Sequence, residues 1–97
     1  MIELHEPTKV PKTQWSKFFL QGMINRMAFG FFRYGDVTKS HEDWIKRLKN
    51  SINHYHKTGN TEFMLDAANY CMCEFQFPTH SKAHFTCSDS QGTRKKI

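Results

Sequence analysis

The chain has 97 residues, a net charge of +5 and nine Phe, which bounds it to one domain with a small core. No apolar run approaches the length of about 20 residues that spans a bilayer, so no membrane partner is expected. The three cysteines, Cys71, Cys73 and Cys87, are an odd number without a signal peptide. They argue against a disulfide framework and for a soluble cytosolic protein with reduced thiols.

Residues 1–12 carry Pro7 and Pro11 without a clear period and are expected to form an extended arm. Thr13 is the expected N-cap of a first helix over 14–33. Its apolar positions, Trp15, Phe18, Phe19, Met23, Ile24, Met27, Phe31 and Phe32, follow helical spacing rather than alternation. Gly22 and Gly30 lie on nearly one side of it. They imply either the close approach of another backbone or ligand, or a helix that ends or bends near Gly30.

Tyr34-Gly35-Asp36 breaks the pattern. Ser40 with Asp43 three residues on resembles a capping box, and a second helix is expected over 42–57. Trp44, Ile45, Leu48, Ile52 and Tyr55 form its apolar seam, and Lys46, Arg47, Lys49 and Asn50 its wet face. Gly59 suits a left-handed helix end. Asn60 or Thr61 can cap a third helix that stops before Pro78. An irregular segment with one short helical turn should follow, then a disordered basic tail over 91–97. The expected fold is all-α: a small three-helix bundle over 13–90, two of whose connections are short enough to make neighbouring helices antiparallel. So many aromatic rings on so small a core favour self-association.

Candidate chemistry falls into three sets. Glu62 and Asp66 are four residues apart on the third helix and Asn69 continues that flank. These oxygens suit a hard cation such as magnesium if Asp36, Glu42 or Asp43 completes the shell; the plain alternative is a solvated flank, with Glu62 favoured by the helix dipole. His80 and His84 would share a face of a helical turn. With Cys71 and Cys73 they could hold zinc, and without it they could contact phosphate or make neutral hydrogen bonds. Arg26, Arg33 and Tyr34 suit a phosphate or carboxylate with a stacked ring, although Arg26 could instead pair with Glu62, Asp66 or Glu74. The charge balance allows a nucleic-acid partner without demanding one.

Three stretches together carry a resemblance: 26–35 (RMAFGFFRYG), 58–69 (TGNTEFMLDAAN) and 74–85 (EFQFPTHSKAHF) with Asp89-Ser90. The set resembles a group of small proteins encoded by bacteriophages and prophages. That implies phage origin and expression in a bacterial cytoplasm; taken with the absence of a complete catalytic set, it leads to the expectation of an accessory, anti-defence protein that binds a host defence component or its nucleotide signal. More distantly, Tyr34-Gly35, Arg47-Leu48, Glu62 and Asp66-x-x-Asn69-Tyr70 are similar to MazG-like all-helical nucleotide pyrophosphohydrolases, which bind magnesium through acids on two helices. Glu62 and Asp66 would take the second acidic pair. The first acidic motif is absent: only Glu42-Asp43 stands near its place, followed by Lys46 and Arg47.

The expectation is a binding protein, oligomeric, whose ligand contacts come from Arg26, Arg33, Tyr34, Asp66, Asn69, His80 and His84. The alternatives are a magnesium-dependent nucleotide pyrophosphohydrolase using Glu62 and Asp66, and a nucleic-acid-binding module.

Overall fold

The structure, a computed structural model, describes residues 11, 13–39 and 42–86. The expected N-terminal arm (apart from Pro11) and the basic tail lie outside the described residues. Three α-helices follow one another: α1 (Lys17–Tyr34), α2 (Trp44–Thr58) and α3 (Glu62–Gln76), with a single 3₁₀ turn at Val37–Lys39 between the first two. No strand occurs among the described residues. The expected small all-α bundle is the observed architecture.

The helix boundaries follow from capping chemistry. Ser16, not Thr13, caps α1: its hydroxyl accepts from the Phe19 N–H at 3.0 Å. Thr13 instead sits in a turn in which the Gln14 N–H reaches the Pro11 carbonyl at 2.8 Å. α1 runs through Gly30 and ends at Gly35, whose φ of 84° is open to glycine at no steric cost. Asp43 caps α2 by accepting from the Lys46 N–H at 3.0 Å. The acid thus serves as the cap itself, not as the partner three residues after a Ser40 cap, and Ser40 lies outside the described residues. Gly59 ends α2 in the left-handed region, φ 71°. Thr61 is the N-cap residue of α3 but makes no side-chain cap bond; the Asn60 Oδ1 accepts from the Glu62 N–H at 3.1 Å instead.

α3 is the central helix, packed broadly on α2 and more sparingly on α1. Among the described residues few are buried: Trp44, Ala67 and Cys73 among the apolar ones, and Ser51 and Asn69 among the polar. Trp44 opens α2 and stacks on Tyr70 of α3, with ring centroids 6.2 Å apart. His54 stacks on Phe63 at 5.1 Å and ties the far end of α2 to the start of α3.

α1 meets α3 at Gly22. A Cβ there would lie 2.8 Å from Leu65 Cδ1, so what approaches Gly22 is the end of a side chain and not the backbone or ligand expected. A Cβ at Gly30 would meet open space. α1 buries no residue of its own. Phe18 and Phe32 are 88% and 83% exposed, and Leu20, Ile24 and Phe31 are exposed as well. A helix apolar on the side away from its neighbour calls for a second surface.

Beyond α3 the chain is tied back by Glu74, whose carboxylate accepts from the Thr79 N–H at 2.7 Å and the Thr79 hydroxyl at 2.9 Å. Phe85 meets Phe75 edge-on at 6.3 Å. Residues 80–82 form a turn, not a helical segment. The Thr79 N–H and, after it, the Thr79 hydroxyl and His80 hold the Glu74 carboxyl below the usual carboxylate range. A lowered folded-state value means that the tie is complete above the unfolded carboxylate value and is lost as pH falls through the folded one. Hydrogen exchange at the Thr79 amide should therefore accelerate, relative to a Glu74→Gln variant, as the solution is taken into the acid range. An unchanged ratio would contradict the tie.

Candidate functional site

A cleft of about 460 Å³ opens where the C-terminal half of α1, the turn after it, the start of α2 and the middle of α3 meet. Arg26, Arg33 and Tyr34 come from α1 and its end, Trp44 and Arg47 from the first turn of α2, and Asp66, Asn69, Tyr70 and Cys73 from one face of α3. Helical spacing explains that face. Asp66, Asn69, Tyr70 and Cys73 recur at intervals of three and four, so one side of α3 presents them together.

The centre of the cleft wall is an ion-pair network. Arg26 Nε donates to Asp66 Oδ1 at 3.0 Å and Arg26 Nη2 donates to Asp66 Oδ2 at 3.2 Å, a two-point contact. Glu62 Oε1 lies 3.6 Å from Arg26 Nη1. The hydrogen bond that Arg26 donates to Asp66 raises the Arg26 pKa, against a smaller opposing effect of burial. At the neighbouring wall Arg47 Nε donates to Glu42 Oε2 at 2.7 Å, and that bond likewise holds Arg47 charged. Of the partners foreseen for Arg26, Glu62 and Asp66 are the ones it takes, while Glu74 is spent on Thr79.

Two groups at the cleft wall lack a partner among the described residues: Arg33, which is exposed, and the Asn69 Oδ1, which has no accessible surface. Arg33 makes no ion pair or side-chain hydrogen bond with a described residue. Asn69 is only 4% exposed. Its Nδ2 donates to the Met23 carbonyl at 3.0 Å, which fixes the amide's orientation. Its Oδ1 is buried without a hydrogen-bond partner among the protein's donors. A buried acceptor left in that state costs about 1–3 kcal/mol. Cys73, beside it, is buried, and burial pushes its thiol pKa up, which makes it a poor nucleophile.

The structure brings together Arg26, Arg33, Tyr34, Asp66 and Asn69 in this cleft. It does not bring His80 or His84 there. Their rings are held locally: the Lys82 N–H donates to His80 Nδ1, and His84 Nδ1 meets the Lys82 carbonyl, both at 2.9 Å. Cys71 is exposed while Cys73 is buried, so the four residues of the zinc reading do not share a surface. Among the described residues no three His, Cys, Asp or Glu side chains converge as a metal site. Sequence reasoning missed Arg47, which it placed on a solvated face, and the site roles of Trp44 and Tyr70. The available signal was Trp44 at the very start of α2, three residues before Arg47.

Among the described residues no helix is long and apolar enough to cross a membrane. Comparison with protein-family models, with curated proteins and with solved structures finds no match.

Proposed function

We propose that the protein works by binding, not turnover, and that the cleft between α1, α2 and α3 takes a small ligand bearing an anionic group. One observation carries this reading. Arg26 lies between Asp66 and Glu62, where a magnesium ion bound by both acids would sit, while Arg33 in the same cleft has no acid partner among the described residues. An arginine bridging both acids supports binding over the pyrophosphohydrolase alternative, since magnesium would have to displace a two-point charged contact.

In the setting implied by the sequence resemblance, this is a phage-encoded accessory protein in the cytoplasm of the infected bacterial host. Its ligand there is the nucleotide signal of a host defence component. The concave, partly aromatic cleft supports a small ligand over an extended nucleic acid. Phosphorus NMR of nucleotides incubated with the protein, with and without magnesium, tests the reading. With and without magnesium, the nucleotide resonances should shift or broaden on adding protein while no product signals appear; unperturbed resonances would remove the binding reading, and magnesium-dependent release of pyrophosphate would replace binding with hydrolysis.

The partner we propose for the apolar side of α1 is a second copy of the chain. Leu20, Ile24 and Phe31 recur on the face turned away from Leu65, and a helix with half-buried residues but none fully buried contributes little to a core this small. Light scattering should report a dimer or larger at about 10–100 μM, where a contact of micromolar affinity is occupied. Ile24→Asp should return it to a monomer. A monomer in the unmodified protein would remove the proposal.

A further inference from the structure

Charge is unevenly placed on the described surface. Every acid among the described residues has a local role. Asp66 and Glu62 hold Arg26, and Glu42 holds Arg47. Asp43 caps α2, Asp36 accepts from Thr38, and Glu74 ties down Thr79. No acid stands anywhere between Trp44 and Thr61, so α2 carries charge of one sign.

Its cations are not scattered. Lys46, Lys49, Asn50, Asn53, His56 and Lys57 recur at intervals of three and four. At about 3.6 residues per turn they fall within about a third of the helix circumference. All of them are exposed, and the buried Trp44 and Ser51 lie on the opposite side of the helix. None of their side chains makes an ion pair or hydrogen bond with a described residue. The stripe is separate from the cleft, which none of them lines.

This face works against the helix that carries it. Lys46 and Lys49 are like charges three residues apart, and neither Lys49 nor Lys57 has an acid three or four residues away. Asn50 and Asn53 are poor helix formers at positions that packing does not require. Local choices that oppose an element and gain nothing within the chain mark a surface shaped for a partner. Lysines in line from 46 to 57, over about 17 Å of helix, match a repeating negative charge. Asparagine amides beside them can donate to phosphate oxygens. The stripe has no apolar side chain to enter a bilayer. It has no Phe, Tyr or Trp on which an unpaired base could stack. We infer that the exposed face of α2 binds the phosphate backbone of double-stranded nucleic acid without reading its sequence.

Fluorescence anisotropy of the full chain with a short labelled DNA duplex tests this. Saturable binding is expected, weakening by about fortyfold or more between about 50 and about 200 mM salt, the fall that neutralising about three phosphates gives. Lys49→Ala and Lys57→Ala should each lower the slope of log affinity against log salt by about 0.9. Lys49→Glu combined with Lys57→Glu should abolish binding. Both side chains are exposed, so the helical circular dichroism signal should be kept. Lys82→Gln, which removes an exposed cation beyond α3, should bind like the unmodified protein. Undiminished binding by the double variant, or an equal loss in Lys82→Gln, would overturn the assignment to α2. Tighter binding of the single strand, or of anionic phospholipid vesicles, would overturn the duplex as partner. No duplex binding at the lower salt would overturn the inference as a whole and leave the cleft reading standing.

Discussion

Trp44→Ala should destabilise the fold by about 3–5 kcal/mol, the usual cost of truncating a large buried aromatic side chain. Trp44 is the largest of the few buried apolar side chains and is only 7% exposed. It pins the first turn of α2 to Tyr70, and among the described residues no fully buried large side chain elsewhere can compensate. Domains of this size are stable by about 5–15 kcal/mol in all, so the loss takes a large share of the total. Thermal unfolding followed by far-ultraviolet circular dichroism should show either a broad, early transition or none. Trp44→Phe, which keeps a ring against Tyr70, should recover much of the difference. A variant melting like the unmodified protein would mean that the α2–α3 packing does not depend on this stack.

Asp66→Ala should be the second most damaging change, and more damaging than Glu62→Ala. Asp66 is the better buried acid, with its side chain 19% exposed against 51% for Glu62, and it makes the short contact to Arg26. Hydrogen bonds to charged groups contribute about 1.5–3 kcal/mol. The Arg26 side chain is 38% exposed, and water can partly replace the lost partner, which brings the expected cost to about 1–2 kcal/mol. Glu62 sits at the helix start with a long, exposed contact and should cost about 0.3–1 kcal/mol. A loss of 1 kcal/mol lowers the melting temperature by about 4–8 °C in a domain of this size, so the two variants are separable. Equal melting temperatures would contradict the central role of the Arg26–Asp66 pair.

The fold was legible because its signals are local. The helical spacing of Trp44, Ile45, Leu48 and Ile52, the left-handed glycine at 59 and the stop before Pro78 are each read from a few neighbouring residues. The caps at Ser16 and Asp43 were displaced from the expected Thr13 and Ser40 because several hydroxyls and acids stand close together, and the sequence does not rank them. The arginine–acid network was legible as one of two alternatives, since Arg26 is complementary to the Glu62–Asp66 flank. Arg47 and Tyr70 were not, because their place in the cleft depends on how α2 is rotated against α3. That rotation is set by Trp44 and by packing across elements, which periodicity within one helix does not encode. The histidines at 80 and 84 were drawn together by a helical spacing that the turn at 80–82 does not adopt.

Chemical-shift mapping tests the central claim most directly. A nucleotide titrated into nitrogen-15-labelled protein should move the Arg33 Nε–H and the Tyr34 and Tyr70 backbone amides together, with one shared binding curve. The amides of His80 and His84 should stay in place. Shifts confined to the segment after α3, or an Arg33 Nε–H that does not respond at saturation, would contradict the assignment of the cleft as the binding site.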